Sequence, residues 1–183
     1  MNDLQPLVRK ASDGIKSKLS KVVFCGSGGV GKTCIVSRLV TGSYIEPSMT
    51  IGVDIDTWEM KDNGTGNTYR LVSCDLGGQS QFRFFQQPLI AGAKMAILVF
   101  DMSRYESFLE LEEWIEMTNT LPAERRLIVG NKSDMDNSVN ESDVQELSQR
   151  TGLKWVPVSA LTGFNFDRLE RMIFEVLRSD QGT

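Results

Sequence analysis

Apolar positions along the chain follow two rhythms. Lys21 to Cys25, Met95 to Phe100, Leu127 to Val129 and Trp155 to Val158 are short, nearly unbroken apolar runs. Runs of that length without a polar face read as strands covered on both sides. Between them, apolar residues recur three and four apart over Cys34 to Val40, Ser103 to Thr118, Glu141 to Thr151 and Asn165 to Leu177. That spacing predicts helices. Two more strands are expected, from Thr50 through about Lys61 and from Thr68 to Cys74. The turn sequence Asp62-Asn63-Gly64-Thr65-Gly66-Asn67 joins them, and so short a connection requires antiparallel pairing. Gln81 to Ala91 reads as a helix or loop interrupted by Pro88. Strands alternating with helices predict an α/β fold. The expected form is a doubly wound, mainly parallel six-stranded sheet with one antiparallel edge strand and helices on both faces. In such a sheet, ligands are bound by the loops at the strand C-terminal ends.

One such loop carries a phosphate-binding pattern. Gly26-Ser27-Gly28-Gly29-Val30-Gly31-Lys32-Thr33 reads G-x-x-x-x-G-K-T between a predicted strand and a predicted helix. Glycines admit backbone angles that let successive N–H groups turn toward one polyphosphate. The helix starting near Lys32 adds free N–H groups and the positive end of its dipole. Lys32 supplies a point charge to the outer phosphates, and the Thr33 hydroxyl is a hard oxygen ligand for Mg²⁺.

Composition removes other chemistries. Histidine is absent, which excludes histidine acid–base catalysis and histidine metal sites. Cys25, Cys34 and Cys74 fit no zinc spacing and read as small buried residues in a reducing compartment. The formal net charge of −4 gives no basic footprint for nucleic acid. No apolar run is long enough to span a bilayer. Asn2 follows Met1 and no cysteine lies near Thr183, so no lipid attachment is expected. Residues 1–20 form an extension in which Leu4, Leu7, Val8, Ala11, Ile15 and Leu19 share one side of a helix bordered by Arg9, Lys10 and Lys16. A membrane-surface helix, a helix docked on the domain and a frayed extension each fit this pattern. The expected location is cytoplasmic, with residues 1–20 the one segment suited to peripheral membrane contact. Residues 21–178 form the main domain and 179–183 a short tail.

A second loop, Asn131-Lys132-Ser133-Asp134, follows the buried run Leu127-Ile128-Val129. A carboxylate at Asp134 can accept from both the ring N–H and the exocyclic amine of guanine. Adenine lacks that donor pair and would leave the carboxylate unmatched, which is a strong basis for rejection. Lys132 can lay its stem along the base, and Asn131 can tie the base loop to the phosphate loop.

The phosphate loop, Thr50-Ile51-Gly52-Val53-Asp54, Asp75-Leu76-Gly77-Gly78-Gln79, Asn131-Lys132-Ser133-Asp134 and Val158-Ser159-Ala160 occur in an order that resembles the Ras superfamily of small GTPases. The resemblance runs from about Lys21 to Leu177. It combines Rab- and Ras-like segments at Thr50 and Asn131 with a double glycine, Gly77-Gly78, that is similar to the Arf and heterotrimeric Gα branches. It implies a G domain that binds GTP or GDP with Mg²⁺ and hydrolyses GTP slowly as a molecular switch. Effector, exchange-factor and activating proteins are the implied partners.

The resemblance also implies roles. Gly28, Gly29, Val30, Gly31, Lys32, Thr33 and Cys34 would surround the phosphates. Tyr44 would lie against the guanine, and Ser159, Ala160 and Leu161 would contact the base. Thr33 and Thr50 would ligate Mg²⁺, and Asp75 would act on it through water. Gly78 would offer its N–H to the γ-phosphate. Gln79 would orient the attacking water, with Lys32 and Thr50 completing the catalytic set. No arginine is assigned as an internal finger. Two rival readings stand beside the switch: a nucleotide-loaded scaffold that barely hydrolyses, and a metabolic P-loop kinase or ATPase.

Overall fold

A computed structural model of the chain describes residues 17–18, 20–46, 53–76, 88 and 90–179. Its strands are β1 (Ser17–Lys18), β2 (Val22–Cys25), β3 (Val53–Lys61), β4 (Thr68–Leu76), β5 (Met95–Asp101), β6 (Arg126–Asn131) and β7 (Lys154–Pro157). Its helices are α1 (Lys32–Thr41), α2 (Tyr105–Leu109), α3 (Leu111–Met117), α4 (Glu141–Thr151) and α5 (Phe166–Ser179).

The apolar runs form the centre. Strands β2, β5, β6 and β7 make a parallel sheet in the order β2-β5-β6-β7. Every residue of β2 and β5 is buried, as strands covered on both faces must be. Alternate residues serve opposite faces. Val22, Phe24, Ile97, Val99 and Val129 pack with Ile35 of α1 and Leu169, Ile173 and Phe174 of α5. Val23, Cys25, Leu98, Phe100 and Ile128 pack with Phe108, Leu111, Trp114, Val144 and Leu147 of α2, α3 and α4. Helices therefore cover both faces, as a doubly wound sheet requires.

The remaining strands form the antiparallel pair. β3 and β4 are in register from Val53 opposite Leu76 to Lys61 opposite Thr68. β4 lies alongside β2, so the pair flanks the parallel sheet on the side away from β5. Ser17–Lys18 pairs in parallel with Thr68–Tyr69, on the edge of β4 opposite β3. The rest of the extension, with the helical pattern over Leu4 to Ile15, lies outside the described residues, as does Leu19.

Several boundaries differ from the sequence reading, and two of them have a cause visible in the structure. The helix expected over Ser103 to Thr118 is two helices that meet at Glu110, whose N–H is shared between the carbonyls of Glu106 and Phe108. The strand expected to end at Cys74 continues to Leu76, carried by its pairing with Val53. The chain leaves β2 for the β3–β4 side, then returns to β5 on the other side. The crevice at the C-terminal ends of β2 and β5 is thus the switch point of the sheet, where such folds bind ligands.

Candidate functional site

The loop Gly26–Gly31 leaves β2 at that crevice. Gly26 has φ of 146°, and a Cβ there would fall on the Val99 carbonyl oxygen of β5. Gly31 has φ of 94°, and a Cβ there would collide with the Asn131 side-chain amide. Only glycine lets the loop pass so close to both neighbours.

Five successive loop carbonyls each accept a side-chain donor. Lys32 Nζ donates to Gly26 O at 2.7 Å and to Ser27 O at 2.9 Å. Arg104 Nη2 donates to Gly28 O at 2.8 Å. Lys132 Nζ donates to Gly29 O and Asn131 Nδ2 to Val30 O, both at 2.9 Å. The next carbonyl, of Gly31, accepts from Ile35 N–H and begins α1. In a trans peptide the C=O and the following N–H point to opposite sides. The grips by Arg104, Lys132 and Asn131 therefore turn the N–H groups of Gly29, Val30 and Gly31 away from those side chains. Those N–H groups and the first turn of α1 form an anion-binding arc. Lys32, only 3% exposed, places its ammonium at the start of the same loop. Thr33 follows it in the first turn of α1, and Cys34 is buried behind them.

Asn131 links this arc to the loop after β7, for its Oδ1 accepts Ala160 N–H at 3.1 Å. Ser159 is fully buried, and its Oγ accepts Thr162 N–H at 3.0 Å. Arg38 of α1 grips the same loop, with Nε 2.5 Å from Ala160 O and Nη2 2.9 Å from Leu161 O. Its guanidinium also lies over the Phe166 ring at 5.7 Å. Leu161 itself is exposed.

Lys132 adopts φ of 61°, a conformation that costs a non-glycine residue on the order of 1–3 kcal/mol. From that backbone its Nζ reaches Gly29 O at 2.9 Å and also Asp101 Oδ2 at 2.7 Å. Burial acts to raise the Asp101 carboxyl, but donors from Lys132 and Ser103 outweigh it and hold the group below its usual range. Asp134 is exposed beyond this anchored lysine. Tyr44 is partly exposed. Its phenol is raised by burial first and then by neighbouring groups that include Cys34, Glu46 and Asp134, which puts it on the Asp134 side of the crevice.

The structure thus brings together Gly28, Gly29, Val30, Gly31, Lys32, Thr33, Asn131, Lys132, Ser159 and Ala160, with Tyr44 and Asp134 at one end. Asp75 is placed by its backbone alone, opposite Asp54 near the C-terminal end of β4. Thr50, Gly78 and Gln79 lie outside the described residues. Four contributors escaped the sequence reading: Arg38, Asp101, Arg104 and Glu110, whose carboxylate accepts a hydrogen bond from Ser27 Oγ. For Asp101 there was a usable signal, because it closes the buried run of β5 at the same edge as the other loops. Arg38, Arg104 and Glu110 carried none.

A glycine loop at the switch point, a buried lysine against it and a helix N-terminus behind it define a P-loop nucleotide-binding protein. Residues 21–179 match the Ras family, and the chain belongs to that family. Ras-related protein Rab-12 of Rattus norvegicus is 32% identical over 177 residues, covering 87% of this chain and 71% of its own length. GTP-binding protein ypt1 of Schizosaccharomyces pombe is 34% identical over 157 residues, covering 82% and 75%. GTP-binding protein YPTM1 of Zea mays is 32% identical over 156 residues, covering 81% and 73%. The chain is a Rab-like small GTPase that binds GTP, hydrolyses it to GDP and acts as a molecular switch.

Proposed function

We propose that base selection, phosphate binding and metal binding divide among the loops of this crevice as follows. Asp134 accepts the guanine donor pair, Lys132 lies along the base, and Ala160 and Leu161 close its far edge, with Tyr44 against the ring. The N–H groups of Gly29, Val30, Gly31, Lys32 and Thr33 hold the phosphates, and the Lys32 ammonium answers their charge. The single observation that carries this reading is Asn131, whose one amide bonds the phosphate loop at Val30 O and the base loop at Ala160 N–H. A base and a polyphosphate bound at the two loops are thereby held in one fixed relation.

Mg²⁺ suits the donors present. Thr33 supplies a hydroxyl at the start of α1, and Asp75 sits near the end of β4. Mg²⁺ takes hard oxygen ligands and usually needs only one or two from protein beside phosphate and water. Bound there, Mg²⁺ would offset charge on the β- and γ-phosphates. Thr50 is assigned to the same ion and Gln79 to the attacking water. The segments 44–54 and 76–91 are assigned as the parts that respond to the γ-phosphate, so effectors, exchange factors and activating proteins would read them. Among the described residues no helix is long and apolar enough to cross a membrane. Membrane contact is assigned to residues 1–20 alone, on a protein working in the cytoplasm.

The test is the nucleotide released when freshly purified protein is denatured, identified by chromatography against standards. Near-stoichiometric GDP or GTP is expected, with excess ATP failing to displace it. Adenine nucleotide would overturn the Asp134 assignment. An empty protein that also fails to bind GDP in a titration with Mg²⁺ would overturn the site.

A further inference from the structure

Three of the side chains that donate to the phosphate loop, Lys32, Asn131 and Lys132, come from motifs that define a nucleotide site. Arg104 does not. It follows β5, in the turn before α2, and its Nη2 donates to Gly28 O at 2.8 Å. Its Nη1 would lie 3.8 Å from a Cβ placed on Gly29, so the guanidinium lies against both glycines. One residue earlier in the loop, Ser27 Oγ donates to Glu110 at the α2–α3 junction. The α2–α3 segment thus holds the loop at adjacent residues, once by a cation and once by an anion.

We infer that Arg104 is a positioning residue for GTP hydrolysis, acting through the Gly28–Gly29 peptide. Gly28 C=O and Gly29 N–H belong to one peptide plane and point to opposite sides of it. A guanidinium on the carbonyl fixes that plane and draws electron density toward the oxygen, which makes the N–H a stronger donor. Phosphate-loop N–H groups face the α- and β-phosphates. In hydrolysis the water oxygen bonds to the γ-phosphorus. The bond from that phosphorus to the β–γ bridging oxygen breaks, and its electron pair remains on GDP. A proton is released with the phosphate. Negative charge therefore grows on the β-phosphate side as the transition state forms. A donor strengthened there acts more on the transition state than on the bound ground state, and such interactions raise the rate rather than the affinity. The inference rests on the guanine-nucleotide reading above and adds to it a residue outside its motifs.

The experiment compares wild type with Arg104→Met, which removes charge and donors at similar length, and with Arg104→Lys, which restores a cation. Each protein is loaded with GTP and Mg²⁺. Single-turnover hydrolysis is read by chromatography, and GDP affinity by titration with a fluorescent GDP analogue. Deleting an oxyanion-hole donor costs a hundredfold or more; here the N–H remains and loses only its polarisation and fixed plane, so Arg104→Met is expected to slow hydrolysis about tenfold. GDP affinity should stay within about threefold, and Arg104→Lys should recover most of the rate. Hydrolysis within twofold of wild type would overturn the inference. So would equal losses of rate and affinity, or a loss that lysine leaves unrepaired, for those mark general loosening of the loop. Should Arg104→Met fail to fold, Arg104→Gln, neutral and polar, takes its place under the same criteria. Wild-type protein that binds no guanine nucleotide would overturn the site reading itself, and the inference with it.

Discussion

Asn131 holds two loops with one buried amide, and that makes it the most exacting residue of the site. It is 1% exposed, so an alanine there would strand Val30 O and Ala160 N–H away from full solvation. Each orphaned group costs about 1–3 kcal/mol. Asn131→Ala is therefore expected to speed GDP dissociation roughly ten- to a hundredfold, since about 1.4 kcal/mol is a factor of ten. Stopped-flow release of a fluorescent GDP analogue checks this, and a rate within twofold of wild type would remove Asn131 as the link. Asn131, Lys132 and Lys32 were legible in the sequence because each belongs to a short contiguous motif whose chemistry is local. Arg104 and Arg38 were not, because their acceptors are backbone carbonyls 76 and 122 residues away. A carbonyl has no sequence signature, and only the folded chain shows which one a long side chain meets.

Elements were legible where one signal decided them. Met95 to Phe100 had to be a buried strand, and the β3–β4 hairpin followed from its Gly-rich turn. That turn has a second attachment that its sequence hid. Asp62, 1% exposed, accepts from Arg178 at the end of α5 through Nε at 2.8 Å and Nη2 at 2.6 Å. It also accepts from Thr65 Oγ1 and Gly64 N–H within the turn. The Arg178 bond is the largest cause that holds the Asp62 carboxyl well below the ordinary carboxylate range, and it outweighs burial, which acts the other way. A carboxyl depressed in the folded state stabilises it fully above the unfolded value near pH 4, and that contribution is lost as pH falls below it. Thermal unfolding of wild type should thus fall more steeply than that of Asp62→Asn between about pH 4 and pH 2, while above about pH 5 wild type should be the more stable. Parallel curves across that window would show that the pair contributes no linkage. The break between α2 and α3 was illegible for a related reason. The apolar spacing of Phe108, Leu111 and Trp114 runs through it unbroken, and Glu110 at the junction is fixed by Ser27, far off in sequence.

At the scale of the whole molecule, the parallel order β2-β5-β6-β7 puts the loops after four strands along one edge, and Arg104, Asn131, Lys132 and Arg38 each span two of those loops or a loop and α1. The edge is therefore held together by polar contacts, while the apolar core lies beneath it. A nucleotide bound across the edge would add its own contacts to each loop at once, and by mass action binding must stabilise the fold. Ligand at about a thousand times its Kd adds about 4 kcal/mol. For a chain of this size each kcal/mol is worth roughly 2–4 °C, so GDP with Mg²⁺ should raise the melting temperature of nucleotide-free protein by about 10 °C. Chelating Mg²⁺ with EDTA should remove part of that gain, because it would delete the ion proposed to join Thr33 to the phosphates. ATP at the same concentration should give almost none, because Asp134 would face a base without its donor pair. Scanning calorimetry or fluorescence melting separates the contributions. Equal shifts from GDP and ATP would mean that the phosphate loop binds and the Asp134 loop does not select, whereas a GDP shift indifferent to EDTA would detach Thr33 and Asp75 from the metal.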